Sequence, residues 1–155
     1  MPLLLPIIFW PLFWIIIFSL SLIHILLLIT NDGPLAHDLL SPKKHVDKTY
    51  YAELQRPVTE EEKYRLEQGI SIGDETLTLP AKLSFPEESR QKVLLTIREG
   101  RYHQVKRMFE ACQNQVLYLK RISMGSLILD PELKKGEYRA LSAEEVERLK
   151  GQIHA

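Results

Sequence analysis

Cysteine is nearly absent. Of 155 residues only Cys112 carries a thiol, so no disulfide can form within the chain, and a reducing compartment is the natural setting. The five histidines, at positions 24, 37, 45, 103 and 154, show no H-x-x-x-H spacing and have no cysteine partners, so no metal site is recognisable. Charge is missing from one stretch altogether: residues 1–29 hold no Asp, Glu, Lys or Arg, and their polar side chains are Ser19, Ser21 and His24. All forty formal charges fall in the remaining 126 residues, so a net charge of zero averages two unlike objects. The polar part alone is long enough for one modest core, burying roughly 65–70 % of its unfolded surface.

The uncharged run exceeds the ~20 residues that span a bilayer as a helix. Leu12 to Ile29 has the length of a transmembrane helix, with Pro2, Pro6 and Pro11 keeping the preceding stretch irregular. A secretory signal fits poorly, because a charged n-region and a small-x-small cleavage site are both lacking. Lys43 and Lys44 would set the polar part on the cytoplasmic side of such an anchor. The competing reading is a misread or damaged start joined to a real domain, which would leave a cytoplasmic monomer. A membrane is therefore a partner only if residues 1–29 are a genuine anchor.

Past the run, element signals follow closely. Asn31 or Asp32 caps a short helix over Pro34–Leu40, and Ser41-Pro42 breaks it ahead of a basic loop. Thr49–Leu54 reads as a strand. Thr59 and Glu62 form a capping box for a helix that runs to Gln68 and stops at Gly69. Ile70–Ile72 and Leu77–Phe85 suggest strands around the Gly73-Asp74 turn, with Pro80 marking an edge or bulge. Val93–Arg98 is a further strand. In the helix expected over Gln104–Gln113, Val105, Met108, Phe109 and Cys112 make one apolar stripe, so Gln104, Lys106 and Arg107 are expected off it. Val116–Ile122 and Leu127–Leu129 are strands, and Ser142 with Glu145 boxes a last helix that Gly151 ends. Irregular interleaving with short turns argues for an α+β fold with a mostly antiparallel sheet and packed helices.

Between Arg98 and Arg121 six Lys or Arg face two acids, and Lys43, Lys44, His45 and Lys48 form a second basic cluster. One basic face suits a polyanion, and Tyr50, Tyr51 and Tyr102 beside these clusters could stack unpaired bases. A solvated charged face with tyrosines in the core explains the same composition. The order strand, Gly100-Arg101-Tyr102-His103, basic helix sharpens the choice: Gly100 permits a tight turn, and Arg101 and His103 sit where helix amides welcome an anion.

Gly100-Arg101-Tyr102-His103-Gln104-Val105-Lys106-Arg107-Met108-Phe109 strongly resembles a motif of bacterial ribosomal RNA pseudouridine synthases. Leu26-Leu27-Leu28-Ile29-Thr30-Asn31-Asp32-Gly33, Ser41-Pro42-Lys43-Lys44, Lys48-Thr49-Tyr50 and Gly136-Glu137-Tyr138-Arg139 match that family in order and at compatible spacing. The likeness covers about Leu26 to Leu149, and Tyr102-His103 with Leu79-Pro80-Ala81 looks most like the small-subunit (16S) type. It implies the pseudouridine synthase fold and an isomerase that needs neither metal nor cofactor, with ribosomal RNA as partner. An aspartate starts cleavage of a uridine's glycosidic bond, and the flipped-out uracil rotates and rejoins the ribose through carbon. It further implies that Tyr50 packs on the uracil and Lys106 pairs with the aspartate. Arg101, His103, Gln104 and Arg107 would shape the RNA-binding wall, and Lys43, Lys44 and Lys48 would add basic contacts. A carboxylate in a dry pocket needs such a cation to stay ionised. Tyr50 also fits a strand core, and Lys106 an ordinary exposed helix position.

The resemblance fails at one place. The family pattern runs Arg-Leu-Asp, two residues, Thr, one residue, Gly, and counting back from Thr30 puts its aspartate at Leu20, its threonine at Ile23 and its glycine at Ile25. None matches. The small RNA-binding domain that usually precedes the catalytic one has no counterpart either. The chain therefore divides into a foreign apolar segment, 1–25, a partial catalytic domain, 26–151, and a tail, 152–155, with Leu26–Ile29 expected to keep part of a central strand. Asp32 and Asp47 are the nearest acids, and neither is a good substitute. Little or no isomerase activity is expected, and the alternative is a membrane-tethered RNA-binding module without catalysis.

Overall fold

The computed structural model describes residues 23–154. They form a six-stranded sheet with helices packed against it, the α+β architecture expected. The strands are β1 (Ile23–Ile25), β2 (Lys48–Leu54), β3 (Lys82–Ser84), β4 (Lys92–Ile97), β5 (Val116–Met124) and β6 (Leu127–Ile128). The helices are α1 (Gly33–Leu40), α2 (Glu60–Gln68), α3 (Gln104–Glu110) and α4 (Ala143–His154), with a 3-10 turn over Pro42–Lys44. The strand order is β1-β5-β2-β4-β3, and β6 folds back on β5. Every pairing is antiparallel except β1 with β5.

Local chemistry sets most boundaries. Asp32 caps α1 by accepting the Leu35 amide at 3.0 Å, which decides between the two candidate caps. Both capping boxes form, Thr59 with Glu62 and Ser142 with Glu145. Along β4 the alternation of buried Val93, Leu95 and Ile97 with half-buried neighbours has the period of a strand with one face on a core. All four residues of the α3 stripe are buried, and Met108 and Phe109 are almost fully enclosed.

Two cores result. The larger joins α2, α3 and the sheet through Leu66, Ile70, Met108, Phe109, Val93 and Leu95. The smaller gathers Leu39 of α1, Val46, Met124, Leu127 and Leu149 of α4, with Leu26 and Leu28 packed on its side.

Four expectations are corrected. Ile70–Ile72 is not a strand: the Ile70 amide goes to the Thr78 hydroxyl at 3.0 Å and the Thr78 amide returns to the Ile70 carbonyl at 3.0 Å, so one reciprocal pair replaces a ladder. Gly151 does not end the last helix, which runs to His154. Gly100 does not make the turn before α3; His103 does, in the left-handed region at φ 50°. Leu26–Ile29 is irregular, and the strand lies just upstream at Ile23–Ile25, at the end of the described sheet rather than its centre. Most of the Leu12–Ile29 run lies outside the described residues. Its described end is this strand followed by irregular Leu26–Ile29, and no described helix is long and apolar enough to cross a membrane.

Candidate nucleic-acid interface

The corner between β4 and α3 is assembled on Glu99, a buried carboxylate. Its Oε1 accepts the Leu79 amide and the Gln104 side-chain amide, each at 2.8 Å, and its Oε2 accepts Arg101 Nε at 3.0 Å. Gln104 is only 3 % exposed, and its own Oε1 caps the Arg101 amide at 3.0 Å. The expectation that Gln104 lines an RNA-binding wall is corrected here. A side chain in the first turn of a helix can fold back over the turn before it, and this one completes a buried polar cluster instead of facing solvent.

Arg101 and Arg107 reach from this corner to the loop after α2. Arg101 donates to the carbonyls of Thr76 at 2.8 Å and Leu77 at 2.7 Å. Arg107 donates to the Ile72 carbonyl through Nε at 3.0 Å and to the Tyr102 carbonyl at 3.2 Å. Both guanidiniums meet Asp74, whose carboxyl is held below its usual range first by the Arg107 hydrogen bond. Each arginine keeps roughly a quarter of its side chain open, at 22 % and 25 %. They therefore act as struts with one exposed flank. Sequence reasoning missed Glu99 and Asp74, although an isolated acid inside a basic segment was a visible signal for Glu99.

Tyr50 lies on β2, half-buried against the larger core, opposite Leu95 on one side and Arg121 on the other. Lys106 lines a small crevice with Val116, Leu117, Tyr118 and Leu119, and makes no ion pair among the described residues. Leu119 is also where β1 enters the sheet, opposite Ile23. Leu20, where the family pattern was expected to place its aspartate, lies outside the described residues.

The second basic cluster divides. Lys43 and Lys44 are exposed on the 3-10 turn. Lys48 is not: it is 3 % exposed, its ammonium donates to the Val46 carbonyl at 3.3 Å, and burial followed by the nearby Arg121 charge pushes its pKa down. A surface contact from Lys48 to RNA is corrected by that burial. Arg121 holds the Leu26 carbonyl through Nε at 3.2 Å and Nη2 at 2.6 Å, tying the start of the family-like sequence to β5. Of the two acids weighed from the sequence as substitutes, Asp32 is occupied as a cap and Asp47 pairs with Arg98 at 2.9 Å. His103 is exposed, and its ring stacks on that of Tyr102 with centroids 3.9 Å apart and planes 14° from parallel. No group of three potential metal ligands occurs among the described residues.

The described residues thus bring together a strand tyrosine, a helix lysine lining a crevice and a strutted basic corner, and the chain as a whole is similar to known proteins. The profile of the RNA pseudouridylate synthase family matches residues 26–111, and the chain belongs to that family. An uncharacterized RNA pseudouridine synthase of Bacillus subtilis (strain 168) is 50 % identical over 125 residues, covering 79 % of this chain and 52 % of that protein. The ribosomal small subunit pseudouridine synthase A of Escherichia coli (strain K12) is 43 % identical over 122 residues, covering 78 % of this chain and 52 % of the relative. A crystal structure of a pseudouridylate synthase superposes with a TM-score of 0.74 at 45 % identity, over 77 % of this chain and 52 % of that one. The chain thus spans about half the length of the relatives it matches.

Proposed function

We propose that this chain carries the RNA-facing part of a ribosomal RNA pseudouridine synthase directed at small-subunit rRNA in the cytoplasm, and that as written it binds RNA without isomerising uridine. Two observations support the reading: Lys106 lines its crevice without a carboxylate partner among the described residues, and residue 20, where counting back along the family pattern expects the aspartate, is leucine. Isomerisation breaks the bond between the ribose and a ring nitrogen and forms one to a ring carbon. The proton on that carbon leaves, and the nitrogen gains one. Tyr50 would pack on the flipped base, and Lys106 would keep a nucleophilic carboxylate ionised. With leucine in that place no group remains to open the glycosidic bond. No metal or cofactor enters the scheme, and the working unit is a monomer.

The test is tritium release from rRNA labelled at the uridine carbon that loses its proton. The chain as it stands gives none. A variant that rebuilds the family pattern, with Phe18→Arg, Ser19→Leu, Leu20→Asp, Ile23→Thr and Ile25→Gly, gains turnover. The same variant carrying Leu20→Asn does not. Turnover by the unaltered chain would sink the proposal.

A further inference from the structure

The corner before α3 contains a feature that the catalytic scheme leaves unused. Tyr102 is 76 % exposed, yet its ring is already stacked, nearly parallel, on the exposed ring of His103. The backbone that makes this possible is unusual: His103 sits in the left-handed region, at φ 50° and ψ 30°, although it is not glycine. That conformation is sparsely populated by residues with a Cβ, and glycine adopts it freely. His103 contributes no side-chain hydrogen bond to the helix cap, so capping does not explain its presence. What the histidine adds over glycine is a ring, and the turn it makes lays that ring on Tyr102.

The ledge is held in place from below. Arg107 donates its backbone amide to the His103 carbonyl at 3.1 Å and its guanidinium to the Tyr102 carbonyl at 3.2 Å. The Gln104 amide closes on the Arg101 carbonyl at 3.1 Å. Arg101 and Arg107 thus have much of their donor capacity committed to the protein, and Tyr102 and His103 are the exposed side chains beside them. A flat, pre-ordered ring with one open face stacks on any unpaired base and discriminates against duplex, whose base faces are already covered.

We infer that Tyr102 and His103 form a stacking ledge for an unpaired nucleobase of the bound RNA. This rests on the RNA-binding reading above and gives Tyr102, one of three tyrosines beside the basic clusters, a pre-ordered partner in His103. The experiment titrates the chain with a single-stranded RNA oligonucleotide of about a dozen nucleotides carrying a fluorescent 2-aminopurine, with a duplex of the same sequence as comparison. Tyr102→Ala is expected to weaken single-strand binding about 5- to 100-fold and to relieve the quenching that stacking causes, whereas Tyr102→Phe stays within about twofold. The dependence of affinity on salt is unchanged, because no phosphate contact is lost. His103→Gly weakens binding while the thermal midpoint holds or rises, since glycine relaxes the left-handed turn. A Tyr102→Ala variant that binds within about twofold of the unaltered chain overturns the ledge and leaves the RNA reading standing. Equal losses in Tyr102→Phe and Tyr102→Ala overturn it too, by assigning the effect to the hydroxyl. If the unaltered chain does not bind single-stranded RNA, the RNA reading falls and the ledge falls with it.

Discussion

Replacing Glu99 by alanine removes the acceptor on which the β4–α3 corner is built. Three donors lose it together: the Leu79 amide at 2.8 Å, the Gln104 side-chain amide at 2.8 Å and Arg101 Nε at 3.0 Å. A buried donor left unsatisfied costs about 1–3 kcal/mol. The Gln104 amide is enclosed and bears this in full, while Arg101, with 22 % of its side chain open, can turn partly to water. The expected loss is about 3–5 kcal/mol, comparable with removing one partner of a buried ion pair. That is a large share of the ~5–15 kcal/mol that holds a domain together. Glu99→Gln keeps one acceptor oxygen, so its loss is smaller, about 1–2 kcal/mol. Urea unfolding followed by circular dichroism measures both, with the slope of stability against urea confirming that the unfolding transition itself is unaltered. A double-mutant cycle with Arg101→Ala should return a coupling of at least about 1 kcal/mol. Should Glu99→Ala cost less than about 1 kcal/mol at unchanged slope, the corner is not organised on that carboxylate and the reasoning fails.

Three further outcomes follow from other residues. Gly69→Ala is expected to cost at least about 2 kcal/mol, because φ is 99° and a Cβ would be driven into the Thr78 carbonyl oxygen. Gly100→Ala, with open space around it, should stay within about 0.5 kcal/mol; equal melting shifts for the two would contradict the assignment. Lys48 has a depressed folded pKa, so the unfolded state binds more protons and the stability it allows rises as pH climbs toward the ordinary lysine range. Lys48→Met should therefore flatten that rise in urea midpoints measured between neutral and alkaline pH, and an unaltered slope would count against the buried charge. Glu145 is held down at about 2, first by the Arg139 hydrogen bond and then by the Ser142 amide. Its contribution is present above the ordinary glutamate range and is lost as pH falls toward 2, and carboxyl NMR should show its titration move upward in Arg139→Ala.

Features that act over one or two turns of chain were legible in the sequence. The two capping boxes, the Asp32 cap region and the α3 stripe each follow from side chains within a few residues of one another, and each stands where the spacing put it. Features that depend on a distant partner were not. The alternation at Ile70–Ile72 looks like a strand, but its hydrogen bonds are taken by Thr78. Lys48 and Gln104 look like members of basic, exposed groups because polarity alone does not reveal that a carbonyl or a buried carboxylate waits nearby. Glycine at 100 drew attention as the flexible position, whereas the strained turn fell on a histidine whose ring has a use there. At the site, solvent exposure was what the sequence concealed, since Lys48 and Gln104 are both buried.

The parallel pairing of β1 with β5 also orders events in time. Arg121, which grips the Leu26 carbonyl, lies 95 residues downstream of it. The smaller core closes later still, because Leu149 of the final helix belongs to it. At ~5–20 residues per second a ribosome needs about 5–20 s to deliver Arg121 after Leu26 has been made. Throughout that interval Ile23–Ile25 has no sheet to join, and whatever first meets this nascent apolar segment, chaperone or lipid, meets it before its strand partner does.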